Sequence, residues 1–247
     1  RKLLVRPSNN VVRAHGQHAA GALGGSQGPT LFATAPWVDG NPPAPGQNLN
    51  ALALLYYPTV VGCVENNDDT LCRYPHYRAD DRWGGGAWVE TDGKSAIILM
   101  GRKGLGDSCY GIPGEQCPPS LCTTDKGWHA DPYEPQLLFY DPAELAAVAA
   151  GAKEPWSMLP YAIYQPVHEL LQPDCGILNA VAYDAARHLI YATESQAGAG
   201  GETVVHVWAV QSGDANATPT PVPTATATPA PTSVLSNPIF LPVVAQE

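Results

Sequence analysis

The stretch Ile177 to Glu194, ILNAVAYDAARHLIYATE, is the strongest constraint on how this chain folds. One apolar run ends at Tyr183-Asp184, a turn passes through Ala185-Ala186, and a second run follows with Leu189, Ile190 and Tyr191. Two strand-length runs divided by turn residues read as an antiparallel hairpin. Gly198, Gly200 and Gly201 then lead into a third strand over 203–210, TVVHVWAV. The same order recurs upstream. With Asp92 set against Asp184, Ala87-Trp88-Val89 aligns with Asn179-Ala180-Val181, Ile97-Ile98-Leu99 with Leu189-Ile190-Tyr191, and 137–140, LLFY, with the strand that ends in Val207-Trp208. A fainter copy uses 31–34, LFAT, and 52–57, LALLYY, with its inner strand drawn from 14–24. With 24 Gly, 25 Pro and only 15% charged residues, the composition favours turns and strands over helices.

These units predict an all-β fold of small antiparallel sheets. A three-strand unit repeated at roughly forty residues suggests β-propeller blades, and the body resembles part of a secreted, irregular β-propeller-like repeat protein. Its units are about 14–75, 83–172 and 173–213 within a domain spanning 1–213. Propeller rings close with roughly four or more blades, so the expectation is an incomplete or open set. An open three-layer stack of sheets meets the same pattern, and a β-sandwich that pairs the same strands differently is the alternative. One helix is expected at 142–150, with Asp141 as N-cap, Pro142 in the first turn and Gly151 as the stop. Residues 161–164 supply a fourth strand after it.

Beyond 213 the composition changes. Residues 214–236 form a Thr/Pro-rich linker whose core is ATPTPVPTATATPAPT, too poor in apolar area to order itself and expected to be extended. Residues 237–247 follow as an apolar segment containing Ile239, Phe240, Leu241 and Val243. A Thr/Pro stalk followed by Ile239-Phe240-Leu241-Pro242-Val243-Val244 resembles the tails of extracellular proteins of filamentous Chloroflexi-type bacteria. That resemblance implies a secreted or cell-surface location.

Cysteines 63, 72, 109, 117, 122 and 175 are even in number, and three share one Gly/Pro-rich loop, which points to disulfides in an oxidising compartment. Cys63–Cys72 closes a short polar loop and is the expected pair; the connectivity of Cys109, Cys117, Cys122 and Cys175 is open. The sequence starts at Arg1 with no apolar signal core, as expected of a processed chain or a fragment. A net charge of −10 offers nothing to neutralise phosphates, which argues against nucleic acid. No apolar run approaches membrane-spanning length.

For chemistry, the richest stretch is 127–142, GWHADPYEPQLLFYDP. His129, Asp131 and Glu134 are the acid–base candidates, because an imidazole titrates near neutral pH beside carboxylates. Their alternative role is to anchor a long loop. Trp128 and Tyr133 are candidate binding aromatics, and Trp37, Trp83, Trp88 and Trp156 also offer faces suited to sugar rings. Three thiols with His129 form a conceivable zinc set, although the spacing fits no common zinc motif. Glu65, Asp68 and Asp69, and further on Asp80-Asp81, are oxygen-rich and suit a hard cation such as Ca²⁺. No other cofactor is expected. The functional expectation is an extracellular binding or structural protein, able to self-associate by adding the strand at Ile239–Val244 to a sheet edge, or to meet a cell-surface or glycan partner. The rival is an extracellular hydrolase or lyase acting on a glycan or other polymer.

Overall fold

The computed structural model describes residues 26–34, 44–46, 51–58, 74, 76–78, 80–91, 93–212, 239–241 and 244–245. The expected Cys63–Cys72 pair, the Ca²⁺ candidates Glu65, Asp68 and Asp69, Trp37, the proposed inner strand in 14–24, the linker 214–236 and Val243 all lie outside the described residues.

The architecture is all-β with one helix. Strands β1 (Leu31–Thr34) and β2 (Ala51–Leu55) form an antiparallel pair. The central sheet is built from β3 (Arg82–Thr91), β4 (Lys94–Gly104), β7 (Tyr133–Tyr140) and β8 (Ala162–Tyr164), each antiparallel to the next. Between β4 and β7 the chain makes a small separate sheet from β5 (Cys109–Gly111) and β6 (Gly127–His129). The third sheet runs β9 (Leu178–Asp184), β10 (Leu189–Glu194) and β11 (Val204–Ser212). Helix α1 (Pro142–Ala149) follows β7. Its cap is the expected one: Asp141 Oδ1 accepts a hydrogen bond from the Ala143 amide, and Gly151 takes a φ of +75° just past the end.

Alternation along β4 explains the layering. Side chains on a strand point to opposite faces in turn. Ile97 and Leu99 join a core with β1, β2, Leu138, Tyr140 and the helix residues Leu145 and Val148. Ala96, Ile98 and Met100 join a second core with Leu137, Phe139, Ile190 and Trp208. The run Ala96 to Met100 is therefore apolar without interruption because both faces are covered. The result is a stack: the β1–β2 pair with α1, the central sheet, then the β9–β11 sheet. Among the described residues the sheets close no ring, and the stack has three layers where a sandwich has two.

Strand β3 changes face partway along. Trp83 pairs with Gly101 but Gly85 already pairs with Met100, so Gly84 is an extra residue in a bulge. The bulge turns Trp83 into the first core while Val89 lies in the second. The glycine run here also permits close sheet contact. A Cβ on Gly84 would lie 2.9 Å from the carbonyl oxygen of Asn179, and one on Gly85 would lie 3.0 Å from the amide nitrogen of Val181. Strands β3 and β9 thus meet backbone to backbone.

Residues 239–241 and 244–245 pair with this body. Strand β12 (Ile239–Leu241) adds to the outer edge of β11 as a parallel neighbour, with Val210 opposite Ile239. Strand β13 (Val244–Ala245) pairs antiparallel with Ser95 and Lys94 of β4. It lies in line with β7, which ends at Tyr140 opposite Ile97.

Candidate functional site

The loop between β4 and β7 is held at both ends. Two disulfides, Cys109–Cys117 and Cys122–Cys175, fix the open part of the connectivity. The first closes the loop on itself, and the second ties it to the turn before β9. These bonds occupy the thiols that zinc would need. Among the described residues no group of three or more His, Cys, Asp or Glu is placed to hold a metal ion.

His129 is buried on β6, opposite Cys109. Its Nε2 lies 2.8 Å from the carbonyl oxygen of Gly111. A carbonyl only accepts, so Nε2 carries the proton. The other ring nitrogen, Nδ1, is buried with no hydrogen-bond partner in the protein. Asp131 precedes a cis bond to Pro132, and its Oδ1 is likewise buried without a partner. Glu134 Oε1 accepts from Gln136 Nε2 at 2.6 Å and from Gln165 Nε2 at 2.7 Å. No hydrogen bond joins the three side chains. His129 ties its loop together, and Glu134 ties β7 to the chain after β8.

The aromatic candidates are also interior. Trp128 and Tyr133 are buried. The Arg102 guanidinium lies 3.9 Å from the centre of the Tyr133 ring, a cation–π stack, and the Tyr133 hydroxyl accepts from the Ala130 amide. Trp83 is buried in the first core, whereas Trp88 and Trp156 are more than a third exposed.

Asp80 and Asp81, read from the sequence as suited to a hard cation, lie instead in a buried charge cluster beneath this loop, whose arginines and lysine the sequence did not single out. Asp80 and Asp81 are completely buried; donors surround the Asp81 carboxylate, whereas Asp80 Oδ1 is buried without a hydrogen-bond partner. Asp81 accepts from Lys103 Nζ through both oxygens, at 3.1 and 2.9 Å, and from the amides of Gly104 and Arg78, each at 3.0 Å. Asp80 Oδ2 accepts from Ser108 Oγ at 2.6 Å and pairs with Arg78 at 3.4 Å. Arg82 donates to the carbonyls of Asp80, Asp81 and Trp128. Arg102 donates to the carbonyl of Cys175 at 2.7 Å. These guanidinium bonds connect the start of β3, the end of β4, the inserted loop and the disulfide at Cys175. Burial pushes the Asp81 carboxyl up to about 6, against the pull of Lys103 and with a further push from Asp80. Burial also brings Arg102 down to about 10. The sequence did carry a signal: Arg82, Arg102 and Lys103 directly flank runs that are otherwise apolar or glycine.

A second buried polar group joins β10 to β11. Glu194 Oε2 lies 2.7 Å from His206 Nε2, and both side chains are essentially sealed from solvent. Glu194 also accepts from the amides of Leu171 and Gln172, at 3.0 and 2.8 Å. Burial alone would raise its carboxyl, but the His206 bond and the two amides outweigh that and hold it below the usual range. His206 stacks on Trp208. The pair fastens the chain before β9, at Leu171 and Gln172, to the third sheet.

Two surface clefts lie on the helix side of the central sheet. One, about 520 Å³, is lined by Asp141, Glu144, Lys153, Ser157, Met158, Leu159 and Tyr161. The other, about 360 Å³ and mainly apolar, has Tyr77 and Leu138 with Lys103, Leu105 and Ile163. Leu159 lines both. Neither contains His129, Asp131 or Glu134.

No helix among the described residues is long and apolar enough to cross a membrane. No family model matches this chain, and no curated protein or solved structure does so either.

Proposed function

We propose that this chain is a secreted or cell-surface protein with a binding or structural role, built as an open, propeller-like set of blades whose free sheet edges are completed by residues 239–245. The pairing of β12 with β11 and of β13 with β4 carries this reading. Unpaired strand edges invite association, and a segment that covers two of them controls what the domain can bind. The blade interpretation draws support from the close approach of β3 and β9, both edge strands of their sheets, across Gly84 and Gly85. Two disulfides fit an oxidising compartment. The Thr/Pro linker and the tail's resemblance to Chloroflexi-type extracellular proteins support display away from the cell.

The rival glycan hydrolase or lyase needs an acid and a base facing a common cleft. The chain's candidates for that work are engaged in loop anchoring. Incubation with a panel of soluble polysaccharides tests the two readings. No reducing ends or unsaturated products are expected above the protein-free blank, and retention on an insoluble polymer or cell-surface fraction is expected instead. Product release that disappears in His129→Gln or Glu134→Gln would overturn the proposal.

A further inference from the structure

We propose that the mainly apolar cleft on the helix side of the central sheet binds a small ring compound that carries a hydroxyl group. This goes beyond the edge-completion reading and does not depend on it, since no residue lining the cleft belongs to β11, β12 or β13. The cleft holds about 360 Å³, a volume usual for small-molecule sites. Such sites combine apolar walls with a few polar groups that orient the ligand. Both are present here. Tyr77 and Leu138 are buried in the lining, while Leu105, Leu159 and Ile163 stand about half exposed around it. Three large aliphatic side chains left in water around one depression lose that exposure when a ring fills it, which favours binding.

The polar groups are Gln136 and Lys103. Gln136 is only 7% exposed, and it lines the cleft. A carboxylate only accepts, so the 2.6 Å bond to Glu134 Oε1 turns the Gln136 Nε2 group toward Glu134. The same Glu134 oxygen is held by Gln165 Nε2. The Gln136 Oε1 atom therefore faces away from Glu134. It has no hydrogen-bond partner among the described residues and is not sealed from solvent. Lys103 also lines the cleft, diagonally across from Gln136 on one face of the sheet, because Lys103 pairs with Glu134 and Gly101 with Gln136. Its Nζ carries three protons, and Asp81 takes two of them. One acceptor and one donor thus adjoin the apolar walls. A hydroxyl satisfies both, donating to Gln136 Oε1 and accepting from Lys103 Nζ. A carboxylate would serve only the donor and meet Glu134 nearby; an ammonium would serve only the acceptor and meet Lys103. A hydrocarbon would serve neither.

The full chain, labelled at its Leu and Ile methyl groups, is titrated with p-cresol and separately with toluene, and the methyl NMR shifts are followed. Leu121, 92% exposed and outside the cleft, is the internal control. Saturable shifts are expected with p-cresol at Leu105, Leu138, Leu159 and Ile163, and none at Leu121. The Kd for toluene should be weaker by about five- to tenfold, the value of one or two net hydrogen bonds. Ile163→Asp, a change at an exposed position, should abolish the cleft shifts while the Ile98 and Ile190 methyls of the second core stay where they are. Gln136→Leu should bring the two affinities together. Shifts at Leu121 as large as those in the cleft, or no saturable shift in the cleft at all, would overturn the site. Equal affinities for p-cresol and toluene in the unsubstituted chain would overturn the hydroxyl assignment and the proposal with it.

Discussion

Gly101→Ala is expected to cost about 3 kcal/mol of folding free energy or more, enough to unfold a domain of ordinary stability in part. The added Cβ would lie 1.9 Å from the carbonyl oxygen of Arg82 and 2.8 Å from the Trp83 Cα. Both are backbone atoms, so no side-chain rotation relieves the contact. The β3 bulge is the reason for the close approach, since Trp83 crosses over Gly101 just before the extra residue, Gly84. Pushing β3 away would move Trp83 out of the first core. It would also pull the Arg82 guanidinium from the Trp128 carbonyl, loosening the inserted loop. Denaturant titration of the wild type and the variant measures the difference; a change below about 0.5 kcal/mol, typical of an inconsequential surface substitution, would contradict the described bulge.

The second large effect is expected at Glu194. Glu194→Ala removes the acceptor for His206 Nε2 and for the amides of Leu171 and Gln172, all in a buried setting. Breaking a buried pair by deleting one partner costs about 3–5 kcal/mol. The pH dependence follows from the lowered carboxyl. A depressed acid contributes stability that is present above its unfolded pKa and lost as pH falls through the folded value. The deficit of the variant should therefore be largest near neutral pH and shrink below about pH 4. Urea midpoints at the two pH values check this. An equal deficit at both would mean that lost packing, and not the carboxylate, accounts for the effect.

Much of the layering could be read from the residues. The run from Ala96 to Met100 has no polar interruption because each alternate residue meets a different core. The hairpin of β9 and β10 is legible because turn residues at Ala185-Ala186 punctuate two apolar runs. Asp141, Pro142 and Gly151 bracket the helix in the ordinary way. The site was less legible, for physical reasons. His129 and Glu134 have the side chains of acid–base catalysts, yet their bonding depends on Gly111 and Gln165, partners far off in the chain. Arg102 sits at a strand end, where charge usually meets solvent; its partner, the Cys175 carbonyl, comes from a different part of the fold. Asp80-Asp81 looked like a hard-cation ligand pair, but Lys103, Arg78 and backbone amides reach the carboxylates, and Arg82 reaches the carbonyls of the same two residues. The apolar segment at 239–245 announced itself as a strand. Which edges it joins was hidden, because backbone pairing leaves no residue signature on β11 or β4.

Amide hydrogen exchange tests edge completion most directly. Three samples are compared: the full chain, a chain ending at Ser212, and that shortened chain mixed with a synthetic peptide of residues 237–247. The account predicts that shortening speeds exchange in 204–212 and at Lys94–Ser95, and that the peptide restores protection at both places. Equal protection of these amides in the full and shortened chains, with no response to the peptide, would contradict it.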